Sequence, residues 1–384
     1  MIEVTPQLRS WASDIRPQTL DQALKASRLP ILAGPIALMP DAHLGIGATV
    51  GSVIATDGAV IPAAVGVDLG CGMMAVETDL SAQQLPDDLE PFLARLETAL
   101  PAGLGKWHAD ASDESRAWLS AHPNPALSPK QEQTALVQFG TLGSGNHFFE
   151  VCADERDAVW ITLHSGSRGV GNQLAMAHIK VAKAMAKEAD VPLEDPDLAS
   201  LQERTPQFDA YTRDMLWAQQ YAAANRARMM DAALAVFFAF IGTGVERLRI
   251  NCHHNFAQQE THSGRTVWVT RKGAIKAGVD DLGLIPGSMG TRSYVIRGKG
   301  NPLSYESCAH GAGRRMSRTQ ARKQFGAADL AQAMHGRTWL SASADKLVDE
   351  IPAAYKDVDQ VMADQADLVE VLHSMRGLVN YKGV

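Results

Sequence analysis

Within the stretch GVDLGCGMM (66–74), a carboxylate, Asp68, and a thiol, Cys71, stand three residues apart in a run otherwise made of glycine and hydrophobes. An unpaired carboxylate in apolar surroundings is costly, so Asp68 calls for a cation or an arginine if the segment is buried. Four histidines sit in loops rich in glycine or asparagine: His147 in GTLGSGNHFFE, His164 in LHSGSRGVGN, His254 in NCHHNF and His310 in SCAHGAGRRMSR. Small neighbours let a ligand or another backbone come close, which the bulky residues around a core histidine do not. Carboxylate, thiolate and neutral imidazole together suit a transition metal rather than Mg or Ca, and one thiolate can bridge two ions. The bland alternative makes Asp68 a turn cap and Cys71 a small buried hydrophobe.

His310 stands beside Arg314, Arg315 and Arg318, with Arg322 and Lys323 following. That grouping suits a nucleophile or acid/base placed next to phosphate-binding guanidiniums, the alternative being a solvated basic helix face. In LIPGSMGTRSY (284–294), backbone amides, Ser288, Thr291 and Ser293 could meet phosphate oxygens, yet the loop fits neither GxxxxGK[ST] nor a strand-linked GxGxxG. Asp41 and His43 in MPDAHLGIG read as structural or supporting residues.

The elements that must position these loops are β-prone in the first half: 48–56, 59–67 and 72–79, with Asp57-Gly58 as a hairpin turn between the first two. A helix is expected near 88–100, a strand over 157–165 ending beyond His164, and a helix over 172–189. The longest helical pattern runs from 211 to 241 and is stopped by Gly-Thr-Gly. Strands follow at 265–273 and 293–300, then helical patterns over 313–325 and 353–375. The expected architecture is α+β, a single domain over 1–384 with 81–135 and 190–245 as peripheral excursions.

Composition supports a folded enzyme-sized chain of 384 residues with a large core. The four cysteines are widely spaced, which argues against a disulfide framework. The N-terminal residues lack an export signal, and the most apolar window, 232–241, is too short to span a bilayer, so a cytoplasmic protein is expected. A formal net charge of -7 argues against general coating of nucleic acid but leaves room for a local basic strip.

Taken together, MPDAHLGIGATVGSVIAT, IPAAVGVDLGCGM, GTLGSGNHFFEV, LHSGSRGVGN, NCHHNF, RKGAI, IPGSMGTRSYVIRG, SCAHGAGRRMSR, IPAAYKDVDQVM and the final YKG resemble the RtcB family of RNA-splicing ligases, in that family's order and from about Met39 to Lys382. The resemblance implies a single RtcB-like domain with a central cleft. It implies a ligase that uses GTP and two Mn²⁺ ions to join an RNA 3′-phosphate or 2′,3′-cyclic phosphate end to a 5′-hydroxyl end, in splicing or repair. By motif, Cys71 would bridge the metals, Asp68 and His147 would complete one site, and His164 and His254 the other. His310 would take GMP from GTP, and Asn146, Glu150, Ser288, Ser293, Tyr355 and Lys382 would contact the guanylate.

On charge alone, Arg168, Arg314, Arg315 and Arg318 are the candidates for holding phosphates. Ile46 stands where many relatives carry a basic residue, which would weaken one RNA contact. Neither a membrane nor DNA is an expected partner, and oligomeric state is left open. Two other readings use the same residues: a dinuclear metallo-phosphodiesterase that opens cyclic phosphates without GTP, and a non-catalytic RNA-binding accessory protein.

Overall fold

The computed structural model describes residues 1–384, which fold around two sheets. The larger sheet has eight strands. Its path runs Glu246–His253, Gly72–Ser81, Ala158–Ser165, Phe148–Ala153, Val369–Lys382, Arg292–Gly298 and Leu282–Ile285, with Thr338–Trp339 pairing alongside Val369–Lys382. The two end strands pack against each other, so the sheet almost closes on itself. Alternation along each strand sorts the side chains. Met73, Ala75, Phe148, Cys152, Trp160 and Met375 fill the inside, while Met74, Val76, Phe149, Val151, Ile161 and Leu163 face outward against helices.

The smaller sheet orders Ile2–Thr5, Leu8–Ser10, Ile36–His43, Val50–Thr56, Arg265–Lys272 and Asn255–His262. Its strand Ile36–His43 escaped the sequence reading because Pro40 interrupts it; the pairing with Val50–Thr56 shifts register between Leu38 and His43. The Asp57-Gly58 hairpin does not form. Val50–Thr56 pairs with Ile36–His43 and Arg265–Lys272, while Ala59–Val60 pairs with Leu201–Gln202. The rest of the expected 59–67 strand contains the helical turn Pro62–Val65, where Pro62 occupies the first turn.

Two helices carry the outer cores. Arg168–Glu188 starts directly after the His164 strand. Pro206–Ile241 is 36 residues long, opened by Thr205, whose hydroxyl accepts from the Phe208 amide, and closed by Gly242 in the left-handed region at φ 88°. Within 190–245, Tyr211, Met215, Tyr221, Met229, Met230 and Phe237 of this helix are buried in two separate cores. Likewise Phe92, Leu93 and Leu96, within 81–135, pack under the larger sheet.

Two helical expectations shrink. Only Arg318–Gln324 of 313–325 is helical, since Gly313 at φ 73° turns the chain and the Arg315 amide bonds Ala354 O. Of 353–375 only Val358–Asp364 is a helix, and from Val369 the chain becomes a 14-residue strand paired on both sides. No helix is long and apolar enough to cross a membrane.

Candidate metal and nucleotide site

Strand register brings the chemistry-bearing residues to one rim of the larger sheet. Gly72 opposes both Ser165 and His253, Met73 and Phe148 each oppose His164, and Lys382 opposes Phe148. Cys71, His147 and His254 lie one residue beyond those pairs. Asp68 and Cys71 share a turn in which the Cys71 amide donates to Asp68 O at 3.1 Å. Gly70 is left-handed there (φ 68°), and a Cβ on Gly72 would meet Cys252 O at 2.1 Å, so these two positions admit only glycine without rearrangement.

The side chains converge. Cys71 Sγ lies 3.4 Å from His147 Nε2 and 3.2 Å from His164 Nε2. His164 Nε2 lies 2.8 Å from His254 Nε2, and His147 Nε2 is 3.0 Å from Asp68 Oδ2. Two triads result, Asp68–Cys71–His147 and Cys71–His164–His254, each with its ligand atoms within 4.8 Å of one another. Cys71 belongs to both.

Burial holds the His164 and His254 imidazoles well below their ordinary value, so both are neutral. His164 Nδ1 donates to Asn146 O at 3.0 Å, which leaves its Nε2 lone pair facing Cys71 and His254. Burial pushes Asp68 up, but the hydrogen bond from His147 and the charge of Arg168 outweigh it and keep the carboxylate ionised. Burial, then the neighbouring Asp68 charge, push the Cys71 thiol well above its ordinary range. A cation beside it would reverse that preference. Oxygen, nitrogen and sulfur donors crowded at ligand spacing therefore fit a pair of transition-metal ions.

Beside the cluster opens a cleft lined by His310, Asn146, Glu150, Ser288, Tyr355 and Lys382, among others. His310 Nδ1 lies 2.6 Å from the fully buried carboxylate of Asp41, whose Oδ2 also accepts from the His310 amide at 3.2 Å. Nδ1 is buried against that carboxylate without the alignment of a hydrogen bond, and Nε2 has no partner in the chain. The His310 ring lies 4.8 Å from that of His254, so the cleft and the ligands adjoin. Burial pushes the Glu150 carboxyl up to about 7, against a 2.7 Å hydrogen bond from Asn380 and the charge of Lys382.

A buried carboxylate organises the far wall. Glu350 receives the Tyr355 hydroxyl at 2.7 Å, Lys382 Nζ at 2.7 Å and Arg318 Nη1 at 2.6 Å, and Arg318 also meets Asp349 at 2.6 Å. Arg314 donates to the Tyr355 hydroxyl at 3.0 Å and lies over its ring.

Ser293 does not line the cleft. Its hydroxyl accepts from the Gly287 amide and shapes the Gly287–Ser288 loop from behind. Arg168 is likewise outside the cleft; it lines a separate groove with Asp68, and its Nη2 donates to His147 Nδ1 at 2.8 Å. Arg315 and Ile46 are exposed. Sequence reasoning missed Asp349, Glu350 and Asn380, and missed Arg226, a fully buried guanidinium that donates to Gly70 O (2.8 Å), Ser165 O (2.9 Å) and Asn251 (2.8 Å) behind the two triads. No local motif marked them. The one available signal was the adjacent pair Asp349-Glu350 as counterions for the Arg314–Arg322 cluster.

A family model described as tRNA-splicing ligase RtcB matches residues 22–383. The chain belongs to the RtcB family. It is 43% identical over 383 residues to the RNA-splicing ligase RtcB of Escherichia coli K12, an alignment covering 94% of this chain and 93% of that protein. It is 33% identical over 410 residues to the RNA-splicing ligase RtcB of Mycobacterium tuberculosis, covering 89% and 94%. The tRNA-splicing ligase RtcB of Thermococcus kodakarensis is 29% identical over 440 residues, covering 95% and 91%. The RtcB-type motifs therefore span the two sheets and the rim between them, from Met39 in the smaller sheet to Lys382 at the end of the larger one.

Proposed function

We propose that this RtcB-family protein is an RNA ligase that joins a 3′-phosphate or 2′,3′-cyclic phosphate end to a 5′-hydroxyl end at the expense of GTP, with two Mn²⁺ ions. The observation that carries the reading is the pair of metal-capable triads sharing Cys71 directly beside a histidine whose Nε2 has no partner in the chain and whose Nδ1 lies against the Asp41 carboxylate.

Asp68, Cys71 and His147 would hold one ion, and Cys71, His164 and His254 the other; bound there, the ions offset triphosphate charge and polarise the phosphorus under attack. Asp41 orients His310 and stabilises the imidazolium that forms as Nε2 attacks the α-phosphorus of GTP and pyrophosphate leaves. An RNA 3′-phosphate oxygen then attacks the same phosphorus, breaking the N–P bond and restoring His310. Finally the 5′-hydroxyl attacks the activated 3′-phosphate, loses its proton and expels GMP. A cyclic end is first opened by water. Glu150 is suited to the guanine edge, since its carboxylate can accept from two N–H donors. Lys382, Arg314 and Arg318 supply positive charge along the same cleft, and Ser288 and Asn146 offer polar groups to phosphate or ribose.

The test is incubation with α-³²P-GTP and Mn²⁺, followed by RNA bearing the two ends. Label is expected on wild-type protein, to be lost in His310→Ala and transferred to RNA. Label retained by His310→Ala would remove the nucleophile assignment. Opening of cyclic phosphate by His310→Ala without GTP, with no joining by wild type, would instead mark a phosphodiesterase.

A further inference from the structure

A second depression adjoins the cleft, between the start of the Pro17–Ala26 helix and the segment 314–320. It shares His43, Arg314 and Arg318 with the cleft, so a ligand lying in it ends beside His310. The His43 ring is stacked near that of His310, with centroids 6.4 Å apart and planes inclined by 23°. Four arginines line the depression, Arg16, Arg314, Arg315 and Arg318, and no carboxylate does. Arg314 and Arg318 are engaged by Asp349 and Glu350, whereas the exposed guanidiniums of Arg16 and Arg315 make neither an ion pair nor a hydrogen bond with the rest of the chain. Leu44, 53% exposed, adds an apolar surface at the mouth.

Free guanidiniums beside an apolar patch suit a polyanion with flat bases, and single-stranded RNA is such a ligand. We infer that this groove receives the RNA strand that ends in the 3′-phosphate, with Arg16 and Arg315 holding backbone phosphates and Leu44 meeting a base or ribose. Polarity follows from the shared wall: the first RNA group that must meet His310 is the 3′-phosphate, and its extra charge favours a groove without carboxylates. The groove on the Asp68 side contains that acidic residue in its lining and shares no residue with the cleft.

This inference rests on the ligase reading, and the two fail separately: GTP labelling of His310 needs no RNA, and the binding test below needs no GTP. Fluorescence anisotropy would compare two short single-stranded oligoribonucleotides with the full-length protein. One carries a 3′-phosphate and a blocked 5′ end; the other carries 5′- and 3′-hydroxyls. In the Arg16→Glu/Arg315→Glu double variant, affinity for the 3′-phosphate strand should fall on the order of tenfold or more. The slope of log affinity against log salt should flatten by about 1.4, or roughly 0.7 for each lost phosphate contact. The 5′-hydroxyl strand should change little, and Arg16→Lys/Arg315→Lys should bind the 3′-phosphate strand nearly as wild type does. Unchanged affinity and slope would overturn the assignment, and equal weakening of both strands would overturn its polarity. If the glutamate variant fails to fold by circular dichroism, Arg16→Gln/Arg315→Gln is read by the same criteria.

Discussion

Cys71 is the one side chain common to both ligand triads, whereas Asp68 belongs to one. Cys71→Ala should therefore abolish stoichiometric Mn²⁺ binding at both positions and Asp68→Ala chiefly at one, as measured by metal content after equilibrium dialysis. Equal residual occupancy in the two variants would contradict the bridging role. Glu150 makes a pH prediction. Burial raises its carboxyl from 4.5 to about 7, so the folded chain binds this proton more tightly than the unfolded chain. Its contribution to stability is full below the unfolded value and is lost as pH rises through about 7. The stability difference between wild type and Glu150→Gln should accordingly shift against wild type by about 2–3 kcal/mol between pH 4.5 and 7, read from urea melts. At this scale the clustered side chains were legible, because Asp68 with Cys71, His147 and His164 stand in glycine-rich stretches and His254 stands between asparagines in NCHHNF. Asp41 was not legible as the partner of His310, since 269 residues separate them and only folding makes them neighbours.

Among the elements, the Pro206–Ile241 helix does more than cover a sheet. Through Arg226 it ties the carbonyl of Gly70, beside Cys71, to that of Ser165, beside His164. Arg226→Met would leave those carbonyls and Asn251 without their donor in a dry interior, and should cost about 1–3 kcal/mol for each acceptor left unpaired, read in chemical denaturation. Metal affinity should fall with it, and Arg226→Lys should rescue little, because one ammonium cannot span the same acceptors. The helix itself was legible in its alanine- and methionine-rich pattern and its glycine stop. Its depth was not, because its two stretches face different cores. The Val369–Lys382 strand was hidden for the opposite reason: the helical spacing that continues from Val358 gives no cue that Leu368 begins a departure, and pairing on both sides overrides local preference.

For the whole molecule, the five metal-capable side chains come from separate parts of the chain, the Asp68–Cys71 turn and three loops or strand ends that meet only after both sheets are assembled. Any ion bound there favours the folded chain, by about 2.7 kcal/mol at one hundred times its dissociation constant. Mn²⁺ should raise the thermal midpoint of wild type and leave that of Cys71→Ala nearly unmoved in differential scanning calorimetry. The order of the motifs made the assembly recognisable without revealing how it is built, because strand register is a property of pairs of distant segments. Asn146 joins the two halves of the rim: it lines the cleft while its carbonyl accepts from His164 Nδ1. A ligand that restrains Asn146 also restrains the His164 imidazole, and thermodynamic linkage makes that influence mutual. Were a nucleotide and a metal ion both bound here, the change each makes in the other's affinity would be one and the same coupling free energy, carried through one peptide group.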